Sequence, residues 1–346
     1  MPYGGLADVF GAVDWGRLWA IVGRMTPYLC LWAVLLAAPA APAPTSEAPK
    51  AVVPAKATAE PASEDTPAEQ KKVPVYPKTV RVQLDVPYLG EARKEKADLY
   101  FPLDHDKAKP LPGIIVIHGG GFNDGDKARN RELNIAENLT LKGYVCMSIN
   151  YKLRRTQGQV TWPQSVYDAK AAVRYLRKEA AQLGIDPDRI GVIGCSAGCN
   201  LAMMLATTGP ADGFDAAKGE PYQDISPRVS CAVGFYGAVD LIHYHDMKMF
   251  AKTREEAPEL YRKGSPIEYL DAKDAPMLLV HGTADVTVPL SQSESFLKVA
   301  KEKGARCALE VIPGAPHTFD LQPKQRDLRP LVTAFFDEHL KAKPAK

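Results

Sequence analysis

The run Ile190-Gly191-Val192-Ile193-Gly194-Cys195-Ser196-Ala197-Gly198-Cys199-Asn200-Leu201-Ala202 decides how the rest of the chain is read. It opens with β-branched apolar residues, the mark of a buried strand, and continues into Leu-Ala-Met-Met-Leu-Ala (201–206), which reads as a helix. Between the two lies Gly194-Cys195-Ser196-Ala197-Gly198, a G-x-S-x-G pattern. A strand that turns at once into a helix strains its central residue, and the flanking glycines leave room for strand and helix to approach. The Ser196 hydroxyl is then held at the tip of the turn, at a helix N-terminus whose dipole favours developing negative charge. An ordinary βα turn is the plain alternative. The strand before and the helix after make Ser196 a candidate nucleophile.

Working outward, strands are expected at 79–86, 97–101, 112–118, 144–149, 229–235, 277–281 and 308–312. Helices are expected at 127–141, 164–183, 290–303 and 326–340, and 184–189 reads as a turn. The alternation predicts an α/β fold over residues 76–341, a mostly parallel central sheet with helices on both faces. Residues 209–228 and 241–265 are polar and rich in turn formers, and read as loop insertions or a small cap over a pocket. Neither is apolar enough for a lipid-interface lid.

His118-Gly119-Gly120-Gly121-Phe122 closes the third strand. Its glycines bare backbone N–H groups, and those of Gly120 and Gly121, with that of Ala197, form a candidate oxyanion hole. A phosphate loop is the rival, but no GKT/GKS or G-x-G-x-x-G spacing is present. His118 reads as a residue that shapes the loop. The candidate base is His317, in Pro313-Gly-Ala-Pro-His-Thr-Phe319, directly after a strand. The candidate orienting acid is Asp285, in His281-Gly-Thr-Ala-Asp-Val-Thr-Val-Pro289, at the carboxyl end of another. Asp240 also follows a strand and is the rival; Asp285 is preferred because it completes the order Ser…Asp…His. His281 reads as structural. His243 and His245 lie near Asp246 but lack a third ligand at useful spacing, so no metal is expected. Phe122, Tyr151 and Trp162 are candidate pocket residues, with Trp162 equally suited to packing under the following helix.

Taken together, His118-Gly-Gly-Gly-Phe122, Gly194-Cys-Ser-Ala-Gly198, His281-Gly-Thr-Ala-Asp285 and Pro316-His317 resemble an α/β-hydrolase of the esterase/lipase superfamily. The likeness is to hormone-sensitive-lipase-like carboxylesterases and their carbohydrate acetyl and feruloyl esterase relatives, and Asp168–Arg177 leading to Gly184–Ile190 shares it. It implies an α/β-hydrolase fold with Ser196 as nucleophile, Asp285 and His317 as its partners, Gly120, Gly121 and Ala197 as oxyanion donors, and no cofactor. The implied activity is hydrolysis of short-chain carboxylic esters, on small molecules or carbohydrate, with deacetylation of plant polysaccharide as an analogy. A prolyl-oligopeptidase-type peptidase shares the triad logic but usually brings a β-propeller, for which the chain has no room. A non-catalytic binding protein on this fold typically loses a triad member, and none is missing. Cys195 and Cys199 depart from the usual pattern and leave the packing of the turn open.

The remaining sequence bounds the setting. The 346 residues are 46% hydrophobic with a formal net charge of +2, which gives no hint of a nucleic-acid partner. Basic residues precede the apolar run Tyr28–Ala38, which is short for a membrane span and is followed by small residues. Residues 1–40 therefore read as a secretory signal peptide, with a retained anchor as the alternative, and no stable membrane span is expected in the mature, exported protein. Residues 41–75, dominated by Ala, Pro, Glu and Lys, read as a disordered linker. Of six cysteines, Cys146, Cys231 and Cys307 fall in apolar strand-like runs and read as buried hydrophobes.

Overall fold

The computed structural model describes residues 74–214 and 219–341. The signal and most of the linker expected from the sequence lie outside these residues. Eight strands form one sheet: β1 (Arg81–Val86), β2 (Ala97–Phe101), β3 (Leu111–Ile117), β4 (Val145–Ile149), β5 (Ile185–Cys195), β6 (Cys231–Phe235), β7 (Met277–Gly282) and β8 (Cys307–Ile312). Their spatial order is β1-β2-β4-β3-β5-β6-β7-β8. The β1–β2 and β2–β4 pairs are antiparallel, and every pair from β4 to β8 is parallel.

The helices are α1 (Asn130–Thr140), α2 (Gln164–Lys178), α3 (Ala180–Leu183), α4 (Ala197–Thr207), α5 (Pro258–Lys263), α6 (Ser291–Lys303) and α7 (Arg329–Leu340). They cover both faces of the sheet, and the strand residues divide between two cores accordingly. On β3, Ile115 and Ile117 join the core shared with α2, α4 and α6, while Ile114 and Val116 join the core shared with α1 and α7. Side chains on a strand alternate faces, so a central strand covered twice must be apolar throughout, which is why this segment reads as an unbroken hydrophobic run. Burying each such side chain is worth about 1.5–3 kcal/mol.

Several expected boundaries shift, among them the start of α7 at Arg329 and a break in the 164–183 helix at Glu179, and two shifts have a visible cause. The stretch 184–189, expected as a turn, begins as ladder. Leu111 pairs with Ile185, the register slips, and Gly113 pairs with Ile190, so β5 carries an irregularity where Asp186-Pro-Asp-Arg189 bulges. The helix expected from 127 starts at Asn130, because Lys127 is drawn into an ion pair with buried Asp98 at 2.7 Å. Among the described residues no helix is long and apolar enough to cross a membrane.

The six parallel strands β4, β3, β5, β6, β7 and β8 point the same way. The loops after β3, β5, β7 and β8 therefore emerge along one edge of the sheet, and that edge gathers the residues singled out above.

Candidate active site

At the β5–α4 junction Ser196 adopts φ 55° and ψ −116°, a region L-residues rarely occupy. The glycines beside it are sterically required. A Cβ on Gly194 would stand 2.0 Å from the carbonyl oxygen of Gly198, and one on Gly198 would stand 2.1 Å from the oxygen of Ile117. The Ser196 amide donates to Phe235 O at 2.8 Å, which ties the strained residue to β6. The two unusual cysteines are accommodated by missing atoms elsewhere. Cys199 is buried against Gly234 and Gly237, where a Cβ on either would fall within 2.5 Å of its Sγ. Cys195 and Cys199 are both free thiols. Burial pushes the Cys195 thiol up to about 12.

Ser196, Asp285 and His317 meet in one chain of hydrogen bonds although they are far apart in sequence. Ser196 Oγ donates to His317 Nε2 at 3.0 Å, and His317 Nδ1 donates to Asp285 Oδ2 at 2.7 Å. The Asp285 side chain is wholly buried, and its Oδ1 accepts the amides of Thr287 and Val288, each at 2.9 Å. The imidazole of His317 is steadied by the ring of Tyr236, edge-on at a centroid distance of 4.7 Å. Tyr236 is itself anchored through its hydroxyl to Phe319 O. Such a line can move a proton from hydroxyl to imidazole while a fixed carboxylate holds the tautomer.

His281 joins this group. Its Nε2–H donates to Val288 O at 2.9 Å and lies 3.3 Å from Asp285 Oδ2. Because a carbonyl only accepts, that nitrogen carries the proton and Nδ1 accepts from the Ser293 hydroxyl at 2.7 Å. Burial lowers the His281 pKa, with Val288 O and Asp285 opposing. His281 is structural, as the sequence suggests, but it is also a second histidine on the same carboxylate.

Gly120, Gly121 and Ala197 line the cavity that Ser196 and His317 face. Gly120 takes φ 116° and its Cβ would collide with Asp124 O at 2.0 Å, so only glycine fits. Among the described residues, the amides of Gly120, Gly121 and Ala197 have no hydrogen-bond acceptor. His118 shapes the loop from behind, its Nδ1 donating to Gly119 O at 2.7 Å, and burial lowers its pKa to about 4.

The three aromatic candidates separate. Phe122 lines the cavity, from a largely buried position at φ 63°. Tyr151 does not line it. Its ring stacks on His118 at 4.4 Å and its hydroxyl donates to His118 O, so it braces the glycine loop from the core. Trp162 does not line it either. It packs edge-on against Phe214 and Phe250, because a flat indole gains more by filling that three-ring contact than by facing water. Of the two insertions, residues 244–248 wall the cavity, whereas the described part of 209–228 does not reach it. Asp240 is held elsewhere, its Oδ2 accepting His243 Nδ1 at 2.7 Å.

The cavity holds about 510 Å³. Sequence reasoning missed several of its walls: Asn123, Arg129 and Arg131 near the glycine loop, and Asn200 on α4. Nothing in the local pattern marks them, since Arg129 and Arg131 read as the polar residues of a helix start. Arg131 is bound to Glu132 at 2.8 Å, and Glu132 is fully buried with its pKa raised by desolvation. Among the described residues no cluster of three or more His, Cys, Asp or Glu could hold a metal.

Against known proteins, the chain is 29% identical over 248 residues to Esterase LipQ of Mycobacterium tuberculosis, covering 68% of this chain and 57% of that one. The chain thus spans little more than half the length of the curated relatives it matches. Among solved structures, a truncated form of a carbohydrate esterase from gut microbiota superposes with a TM-score of 0.69 at 25% identity, covering 78% of this chain and all of that one. Esterase 2 of Thermogutta terrifontis with butyrate bound gives 0.63 at 28% identity, covering 77% and 97%. The BD-FAE family model matches residues 97–299, more than half of the sequence, and the chain belongs to the BD-FAE family of the α/β-hydrolase esterases.

Proposed function

We propose that this chain is a serine esterase that hydrolyses carboxylic esters through an acyl-enzyme on Ser196. The observation that carries the reading is the unbroken hydrogen-bonded line from Ser196 Oγ through His317 to buried Asp285. Ser196 Oγ attacks the ester carbonyl as His317 Nε2 takes its proton. Asp285 holds the imidazole and stabilises its charged form without becoming protonated. The amides of Gly120, Gly121 and Ala197 receive the oxyanion. The tetrahedral species collapses, the alcohol leaves with the proton from His317, and water repeats the sequence to release the acid and restore Ser196.

The substrate is a short-chain ester. A cavity of about 510 Å³ exceeds what an acetyl group needs, which leaves space for a sugar or an aromatic alcohol. Deacetylation of plant polysaccharide suits the polar side chains on the cavity wall, among them Asn123, Asn200 and Lys248, and the likeness to a carbohydrate esterase. An N-terminal export signal would place the enzyme where such polymers are found.

Labelling with a fluorophosphonate probe and hydrolysis of 4-nitrophenyl acetate test the reading. Both are expected to be abolished in Ser196→Ala, with turnover down by about four to six orders of magnitude. Near-parental activity in that variant would remove the assignment. An aminoacyl-4-nitroanilide separates a peptidase from an esterase, and acetylated xylan tests the polymer.

A further inference from the structure

Three of the four permanently charged side chains around the cavity are cations: Arg129, Arg131 and Lys248 against Asp246. The carboxylates that pair with the arginines stand outside its wall. Asp124 takes Arg129 and Glu132 takes Arg131, while Asp246 is itself engaged by Arg254. The excess is local, since the whole chain carries only +2.

Arg131 indicates what the excess is for. Its side chain is only 15% exposed, and Glu132 holds it in place, with Nε and Nη2 both 2.8 Å from one carboxylate oxygen. Arg131 lines the cavity, and its Nη1 has no acceptor among the described residues and is not among their sealed polar atoms. A Cβ on Gly119 would stand 3.0 Å from Ser196 Cβ and 3.3 Å from Arg131 Nη2. The guanidinium is therefore one side chain's width from the nucleophile. It stays charged at any working pH, and an unfilled N–H on a half-dry wall gains most from an ionised acceptor. One open corner suits a single carboxylate, whereas a phosphate would ask for more donors.

We propose that Arg131, seconded by Arg129 and Lys248, binds a carboxylate carried by the ester substrate, on its acyl or its alcohol side. The inference rests on the esterase reading above and narrows it to acidic esters, such as half-esters of dicarboxylic acids or acylated acids. Arg131 supplies the fixed contact. Arg129 and Lys248, nearer solvent, draw the anion in, so their share is screened by salt.

The test compares matched esters that differ by one charge. 4-Nitrophenyl hemisuccinate against 4-nitrophenyl butyrate probes the acyl side, and 3-acetoxybenzoate against its methyl ester probes the alcohol side. In the parent enzyme at low salt, the acid of one pair is expected to exceed its neutral partner in kcat/KM by about tenfold. That ratio should fall towards one in Arg131→Gln, fall less in the Arg129→Gln/Lys248→Gln double variant, and shrink as salt is raised. Should Arg131→Gln fail to fold for want of a partner for Glu132, the double variant and the salt series carry the decision. The inference is overturned if neither acid is preferred, if the preference survives Arg131→Gln, or, should that variant not fold, if the double variant and high salt leave the preference unchanged. If the neutral esters are cleaved in a Ser196-dependent way while no acid is preferred, the esterase reading stands and this inference alone is lost. If the parent cleaves none of the four, both are lost.

Discussion

His281 Nε2 stands 3.3 Å from Asp285 Oδ2, the same carboxylate oxygen that receives His317 Nδ1–H at 2.7 Å. One oxygen is thus shared by two imidazoles, while the other is filled by two backbone amides. The carboxylate cannot rotate without breaking several hydrogen bonds, and the direction left open to His317 is set by His281.

Replacing His281 by Leu removes that neighbour together with the tie to Ser293 and Val288. The expected result is a fall in kcat of about tenfold to a hundredfold with KM little changed, since loosened geometry acts on the reacting groups and not on binding. His281→Gln, which keeps a donor, should recover part of it. Steady-state kinetics on 4-nitrophenyl acetate checks both, and parental kcat in the Leu variant would refute the shared-oxygen role.

Asp285→Asn keeps the shape of the site but loses the charge that fixes the His317 tautomer. A drop in kcat of about three to four orders of magnitude is expected, with thermal stability nearly retained. Asp240→Asn should leave kcat within about twofold, because Asp240 is committed to His243 away from the cavity. Comparable losses in the two variants would mean that the wrong carboxylate has been assigned.

Burial holds His118 down to about 4 and also lowers His281. A lowered base is neutral above its shifted value, so His118 stays uncharged until pH nears about 4, and His281 charges at lower pH than a free imidazole. Protonation of His118 should therefore not steepen the acid limb of log(kcat/KM) against pH until that point. A limb in the parent enzyme that is steeper above pH of about 4 than in a His118→Gln variant would show that His118 titrates earlier than its burial implies.

Asp274 is pushed up to about 7, mainly by burial, with Asp271 and Asp212 adding to the rise. A carboxyl whose folded value lies above its unfolded one binds an extra proton in the folded state. Stability is therefore lost as pH rises from about 4 through 7. Asp274→Asn, whose side-chain oxygen can still accept from the Asp271 amide, should raise Tm at pH 8 by a few degrees, on the order of 1 kcal/mol, and change it little at pH 4. Melting curves at the two pH values decide it; an equal shift at both would remove the ionisation argument.

Gly198→Ala would drive a Cβ to 2.1 Å from Ile117 O, at the joint between α4 and β3. Overpacking against backbone cannot be relieved by a rotamer, so about 3 kcal/mol or more should be lost, roughly 10 °C in Tm. The same change at Gly143, which has open space but φ 86°, should cost only about 1 kcal/mol.

The parts legible in the sequence are those whose causes are local. Ile114-Ile-Val-Ile117 is uniformly apolar because both its faces are covered, and the glycines at 194 and 198 are there because the turn admits no Cβ. His317 and Asp285 could be picked out because each follows a strand of a parallel sheet, and all such strands end on one edge. Tyr151 lies in the core and not on the cavity, and Trp162 takes the packing role that the sequence left equally open, because an aromatic near the glycine loop looks the same in sequence whether it faces a cavity or a core. The bulge at the start of β5 was read as a turn because Asp-Pro-Asp is a turn signal, and pairing with Leu111 overrode it.

What the sequence determined alone was most of the order and kind of the elements and the identity of the three side chains that meet in one hydrogen-bonded line, since these follow from periodicity, turn sterics and chain order. What only the tertiary structure decided was the company those side chains keep: His281 on the Asp285 oxygen, Tyr236 against His317, and the guanidinium of Arg131 beside Ser196. Those contacts join residues from separate strands, helices and loops. Their distances depend on how the elements pack in three dimensions, which no local stretch of sequence encodes.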